Sequence, residues 1–461
     1  MKRGGSLTSA TSASPDLLNN WLQRRFVAAG ENPALIGAWG VCSYAQLGRL
    51  VDEAARALAG LRLPGPAAVA VIGGHGPAAT AWLIALEAAG HFAVPLAGNP
   101  AEHPVRLAQV NAQWVVTADG FAWNLLPRID EASTHPLFES LRVRQAAGLV
   151  LFSSGTSGAP KAMVQDFSAL LAAYEERRPN GLPVIALLGF DHIGGLNTLF
   201  GVLAAGAPLV VPAANSPEVV AAAIARHRVV VLPASPTFLN LLLVSGAAAA
   251  HDLSSLRVIT YGTEPMPESL LARLKAAFPR VRFIQTFGTS ETGIVRTSSP
   301  EGDSTYLRFE DPKLAWKIVD DELWLRSATQ IEGYLNAGNE RFTADGWFRT
   351  GDRVEQGPDG TLRVLGRIGE LINVGGEKLM PAEVESVVLS VPGVTDCRAR
   401  GEPNLLTGQT VVVDVVASVA DHEALRAAIR AACRQRLARH KTPTRVTFVP
   451  SVSGERMKKV R

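Results

Sequence analysis

The chain has 461 residues, is 47% hydrophobic and carries 45 Lys and Arg against 42 Asp and Glu. That length exceeds one ordinary hydrophobic core, so two or three domains or subdomains are expected. The nearly balanced charge calls for no nucleic-acid partner, and the apolar runs, such as Pro208–Pro212 and Val229–Pro233, are strand-sized and too short to cross a bilayer.

Residues 1–15 read as a disordered leader: Met1 to Ser14 are rich in Ser, Thr and Gly and lack the apolar centre of a signal peptide. Leu17–Ala29 has helical spacing, and Tyr44–Leu61 repeats it behind Ser43, a candidate N-cap. Ala67–Ile72 reads as a strand, Ala78–Ala89 as a helix closed by Gly90, and Phe92–Pro95 as the next strand. The alternation continues through strands at Trp114–Thr117, Leu149–Phe152, Val184–Leu188, Leu209–Val211 and Val229–Leu232. Such order predicts an α/β body of βαβ layers around mostly parallel sheets. Further on, short strands at Leu323–Leu325, Thr361–Val364 and Val411–Ala417 mark a sheet-rich second half, and the helices at Met380–Leu389 and His422–Ala438 belong to a small α+β domain. We place the boundary near Gly366–Gly369: body 16–367, C-terminal lid 368–461. Cys42, Cys397 and Cys433 have no metal-ligand or disulfide spacing and read as idle thiols of a cytoplasmic protein.

One stretch organises the rest. Leu149–Phe152 runs into Ser153, Ser154, Gly155, Thr156, Ser157 and Gly158, then Ala159-Pro160-Lys161. Glycines let the backbone approach a ligand, hydroxyls and amides offer donors to phosphate, and Lys161 adds charge at the far end. The P-loop of kinases and ATPases needs Lys between Gly and Ser or Thr; Lys161 stands between Pro160 and Ala162, so that reading fails. The run resembles the phosphate loop of the adenylate-forming superfamily, which holds acyl- and aryl-CoA ligases, peptide-synthetase adenylation domains and luciferases.

The resemblance extends from about Asn32 to Arg461. In Gln285–Thr292, Phe287 offers an aromatic face to adenine, Gly288 and Thr289 continue the nucleotide site, Ser290 can donate to a phosphate or carboxylate, and Glu291 can hold magnesium. The family more often has Tyr and Thr where Phe287 and Ser290 stand. Tyr261, Gly262, Thr263 and Glu264 match the turn that lines the acyl pocket and edges the adenine, and are also a plain strand-to-helix turn. Thr350-Gly351-Asp352 resembles the segment whose Asp accepts from the ribose hydroxyls, with Arg367 reaching ribose or phosphate. His192, Gly194, Gly195 and Asn197 resemble the segment that flanks the substrate carboxylate, the Gly pair leaving room for a ligand; a lone His can equally be structural. Asp191 is one position off the acid that pairs with an amino group in amino-acid-activating relatives, and reads as a structural or supporting acid.

Gly375, Gly376, Glu377 and Lys378 match the lid loop that shapes a thiol tunnel, and Gly369 stands at the hinge, where the family has Asp or Lys. The tail departs most. The family's lid lysine is matched by Lys458, with Lys459 second and Arg456 third, while a solvated basic tail explains the same residues.

The resemblance implies an ATP- and Mg2+-dependent ligase that activates a small, compact or aryl carboxylic acid as an acyl-adenylate. A thiol of CoA or of an acyl carrier protein's phosphopantetheine would then take the acyl group. An amide- or N–N-bond-forming enzyme and a non-catalytic nucleotide binder are the alternatives. A monomer or homodimer without a membrane partner is expected.

Overall fold

The computed structural model describes residues 21–129, 134–153, 160–299 and 305–452. The expected leader therefore lies outside the described residues. From there the chain alternates as its apolar runs dictate. Ser43 starts the helix Tyr44–Gly60 with a reciprocal capping box: its hydroxyl accepts from Gln46 N at 3.1 Å, and Gln46 Oε1 accepts from Ser43 N at 2.9 Å.

Two seven-stranded sheets make the body. In the first, the parallel strands Gly148–Ser153, Phe92–Leu96, Ala68–Ile72 and Trp114–Asp119 are flanked by antiparallel edges, Lys161–Asp166 with Gly333–Tyr334 on one side and Ala122–Pro127 on the other. The central strands are covered on both faces, which is why they read as unbroken apolar runs. The second sheet runs Arg282–Gln285, Val258–Tyr261, Val231–Ala234, Val184–Ile185, Leu209–Val210 and Pro33–Gly37 in parallel, with Gly40–Ser43 folded back on its edge. One core joins the sheets: Leu35 and Leu209 of the second connect with Val69 and Leu151 of the first through the helices Tyr44–Gly60, Pro77–Ala88 and Ile193–Ala204. A six-stranded antiparallel sheet, containing Glu322–Ser327, Phe348–Gln356 and Leu362–Arg367, completes the body.

Two strands differ from expectation for visible reasons. Val231–Ala234 begins two residues late because the helix Pro217–His227 ends in left-handed Arg228, and Val229 N closes that cap on Ile224 O. Val184–Ile185 is shorter than Val184–Leu188 because the chain leaves the sheet after Ala186 N donates to Val210 O; the Leu188 carbonyl instead meets His75 Nε2 at 2.9 Å, and the chain turns to start the helix Ile193–Ala204.

After Arg367 one 3-10 turn, Ile368–Glu370, leads into a separate five-stranded sheet with the helices Pro381–Leu389 and His422–Arg436 on it. This unit touches the body through Asn240 Nδ2, which donates to Thr395 O at 2.8 Å, and Ser269 Oγ, which donates to Ser386 O at 3.3 Å. Among the described residues no helix is long and apolar enough to cross a membrane.

Candidate functional site

Strand Gly148–Ser153 delivers Ser153 to the mouth of the first sheet, and Lys161 opens the antiparallel return strand directly opposite it. Ser154, Gly155, Thr156, Ser157 and Gly158 lie outside the described residues. Asn336, which sequence reading missed, holds the start of the return strand: Nδ2 donates to Pro160 O and Oδ1 accepts from Ala162 N, both at 2.9 Å. Lys161 Nζ sits 5.3 Å from the centre of the Tyr334 ring.

Tyr334 links Lys161 to Glu291. Its hydroxyl donates to Glu291 Oε1 at 2.9 Å, and burial together with the Glu291 charge pushes its pKa upward, so it remains a donor. Glu291 follows the short strand Phe287–Thr289, where Thr289 Oγ1 accepts from Thr292 N at 3.1 Å and closes the tip. Ser290 is tied through its carbonyl, which accepts from Gln165 Nε2 at 2.9 Å. Gly288 has no space for a side chain: a Cβ would stand 2.6 Å from Gly293 O. Phe287 is only 8% exposed and meets Phe309 edge-on at 5.8 Å, so most of its ring belongs to the core of the third sheet.

The ribose candidates assemble from three strands. Thr350 Oγ1 donates to Leu323 O at 2.6 Å and accepts from Asp352 N at 3.0 Å. Gly351 adopts φ +70°, a left-handed turn that suits glycine, and its N–H donates to Glu322 Oε1 at 2.8 Å. Asp352 is 6% exposed; burial raises its carboxyl pKa to about 6 against the pull of Arg367 and Arg341. Glu322 and Arg341 had no adjacent motif to announce them. Arg341 donates from Nε to Arg349 O at 2.9 Å and from Nη2 to Thr350 O, and its Nη1 lies 3.8 Å from Glu291 Oε1.

The turn at Gly262 packs on the neighbouring strand, where a Cβ would come within 2.7 Å of Thr286 O. Thr263 carries φ +71°, and Glu264 Oε2 accepts from Thr237 N at 3.2 Å and Thr237 Oγ1 at 2.7 Å, which holds the turn to a helix start. Tyr261 corrects an expectation. Its ring is 1% exposed within the core of the second sheet, so its side chain does not line a substrate pocket.

His192 caps the helix Ile193–Ala204 and keeps 31% of its side chain exposed. Asp191 lies 3.8 Å from His192 Nε2 and 3.7 Å from Arg106 Nη1, and Arg106 lies over Phe152 at the end of the strand Gly148–Ser153. Asp191 is thus already compensated, which suits a supporting acid. The Gly pair has a different reason from the one expected. A Cβ on Gly195 would run into Gly189 O and one on Gly194 would stand 2.9 Å from Leu188 Cδ1, so the glycines admit the chain's own turn. Asn197 is likewise turned aside: its Oδ1 accepts from Tyr174 Oη at 2.8 Å.

In the C-terminal unit, Gly375 and Gly376 form a two-residue hairpin loop with φ +63° and +92°, between Val374 and Glu377, which pair. Positive φ at both positions is the glycine requirement of such a loop. Glu377 and Lys378 are exposed, and Glu377 Oε2 lies 3.9 Å from His440 Nδ1. Gly369 is exposed, and a Cβ there would meet nothing within 4 Å. Arg456, Lys458 and Lys459 lie outside the described residues.

Two family models match, "AMP-binding enzyme" over residues 22–335 and "AMP-binding enzyme C-terminal domain" over residues 383–459. The chain belongs to the AMP-binding enzyme family. This AMP-binding enzyme is 27% identical over 471 residues to the indoleacetate–CoA ligase of Aromatoleum aromaticum, covering 91% of each chain. Its fold is similar to that of the anthranilate CoA ligase AuaEII in complex with anthranoyl-AMP, with TM-score 0.81, 21% identity, and 95% and 94% of the two chains covered. It is also similar to that of the amide bond synthetase McbA from Marinactinospora thermotolerans, with TM-score 0.74, 24% identity, and 95% and 96% covered. The AMP-binding enzyme fold and the adenylate-forming superfamily stated from the motifs agree.

Proposed function

We propose that this chain activates a small carboxylic acid with ATP and passes the acyl group from its adenylate to a thiol. The observation that carries the reading is the shared cleft of Lys161, Tyr334, Glu291, Arg341, Asp352 and Arg367, drawn from five chain segments and joined by the contacts above. Cations and carboxylates alternate in it, Arg341 beside Glu291 and Arg367 beside Asp352, as suits a polyphosphate, its counter-ion and a ribose together.

Ser153 and Lys161, with the Ser154–Gly158 loop between them, would hold the leaving pyrophosphate. Asp352 would accept from the ribose hydroxyls, and Gly262, Thr263 and Phe287 would border the base. Glu291 is the residue to hold magnesium, and the described residues contain no cluster of three or more His, Cys, Asp or Glu that could form a cage of their own. One partly open carboxylate fits an ion that keeps its waters and binds through substrate phosphates. When bound, the ion supplies charge neutralisation to those phosphates.

The acid's carboxylate oxygen attacks the α-phosphorus beside His192, forming the acyl–phosphate bond as the bond to pyrophosphate breaks. Lys458 from the lid (residues 368–461, turning at Gly369) would offset the charge at that centre, with Lys459 or Arg456 as its alternatives. The hairpin Gly375–Lys378 would then guide the thiol of CoA or a carrier's phosphopantetheine. An aryl or similarly compact acid is supported by the indoleacetate ligase relative and the anthranilate ligase neighbour.

An amine acceptor is the second reading. It is supported by the amide bond synthetase among the fold neighbours.

Carboxylate-dependent ATP–pyrophosphate exchange across aryl, fatty and amino acids tests the first step. Exchange with one class, followed by thioester on adding CoA, is the expected result; amide on adding amines favours the second reading, and silence with every acid defeats both. Lys458→Ala should abolish exchange yet leave thioester formation from supplied adenylate intact.

A further inference from the structure

We propose that Arg341 is a phosphate-contacting residue of this cleft, a second fixed cation facing the nucleotide from the ribose side while Lys161 faces it from the loop. The inference rests on the nucleotide reading of the cleft given above, and adds a residue that no motif assigns.

The guanidinium is held in place on three sides. Nε donates to Arg349 O at 2.9 Å, Nη2 donates to Thr350 O, and the plane lies 4.6 Å from the centre of the Phe348 ring. Phe348 is fully buried, so this platform does not move with solvent. Nη1 is the remaining corner. It points to Glu291 Oε1 at 3.8 Å, beyond hydrogen-bonding distance, and the side chain is 37% exposed. A guanidinium pinned by two backbone carbonyls loses little freedom when its last corner engages an anion.

The charges around it show when that corner becomes available. Glu291 and Asp352 both face Arg341, and Arg367 and Arg341 in turn both face Asp352. Without ligand the acids compensate the arginines. A magnesium ion at Glu291 would compensate that acid and leave Arg341 with charge free to meet a phosphate. A phosphate of the nucleotide is the anion that arrives in the same event. Arg341 therefore reads the phosphate, and the sugar and base are left to Asp352 and the turn at Gly262.

The test separates phosphate from nucleoside. Calorimetric titrations of the full chain with AMP and with adenosine, each with and without Mg2+, are run on the native protein, R341Q and R341K, after thermal melts confirm folding. R341Q should weaken AMP by about tenfold to a hundredfold, the range of a lost charge-assisted hydrogen bond, and leave adenosine within about twofold. R341K, which keeps the charge but not the fork, should retain most of the preference for AMP over adenosine. Equal weakening of AMP and adenosine would show that Arg341 only shapes the Thr350–Asp352 turn, and overturns the inference; so does unchanged AMP affinity. If R341Q does not fold, R341K decides: AMP weakened by less than about tenfold with adenosine unchanged upholds the phosphate contact, and equal weakening of both ligands, or no change for AMP, overturns it. An Arg341-dependent AMP preference without acid-dependent exchange would uphold this inference and sink the ligase reading.

Discussion

Arg367 Nε stands 3.1 Å from Asp352 Oδ1, the two residues pairing directly across neighbouring antiparallel strands. The same arginine donates from Nη1 to Thr350 O at 2.7 Å, so one side chain ties both ends of the Thr350-Gly351-Asp352 turn. Asp352 is 6% exposed while the Arg367 side chain is half exposed. The acid is fixed and poorly solvated; its partner can exchange with a ligand.

Burial raises the Asp352 carboxyl to about 6 in the folded chain. A raised carboxyl contributes stability below its unfolded pKa of about 4 and loses it as pH rises through about 6, at a cost on the order of 3 kcal/mol when ionised. Asp352→Asn should therefore raise Tm at pH 8 and leave it nearly unchanged at pH 4. The same variant should lose adenosine binding. In the native protein, adenosine affinity should rise between about pH 5 and pH 7, as the acceptor ionises, and then level off. A flat profile would remove Asp352 from the ribose site.

Glu322 shapes that turn from outside it. Its Oε1 accepts from Gly351 N at 2.8 Å and its Oε2 accepts from Trp324 Nε1 at 3.0 Å. Glu322→Ala should raise KM for ATP by about tenfold or more, the value of a hydrogen bond to a charged acceptor, with KM for the acid unchanged. Glu322→Gln keeps an acceptor and should recover most of the loss. Initial rates over both substrates check this.

Gly262→Ala should be costly. Its Cβ would press to 2.7 Å on the Thr286 carbonyl, a backbone atom that cannot rotate away. A loss of about 1–3 kcal/mol in urea unfolding is expected, with exchange activity reduced in step.

The C-terminal unit and the turn leading into it contain two kinds of glycine. Gly376→Ala places a side chain at φ +92° and should strain the hairpin by about 1 kcal/mol or more, slowing the thiol step and sparing adenylation. Gly369→Asp meets nothing within 4 Å and should leave stability within about 0.5 kcal/mol. Single-turnover rates for the two half-reactions would show whether that added side chain changes lid rotation.

Much of the body was legible because its central strands are buried on both faces and its helices carry their own caps. Ala68–Ile72, Phe92–Leu96 and Tyr44–Gly60 lie within a residue of their expected bounds. The chemical motifs were legible for a related reason: Thr350-Gly351-Asp352 and Gln285–Thr292 are contiguous, so residue type and spacing survive in the linear chain. Reading failed where a role depends on what arrives from elsewhere. Gly195 looked like space for a ligand and proved to be space for Gly189, while Tyr261 sat in a promising turn with its ring in the core. Asn336, Tyr334, Arg341 and Glu322 carry no local signature. Each acts on a segment distant in the chain, on Pro160, Glu291, Glu291 and Gly351 respectively. Local sequence records backbone preference and burial periodicity; strand pairing decides which charges meet across a cleft, and only the folded chain contains that pairing.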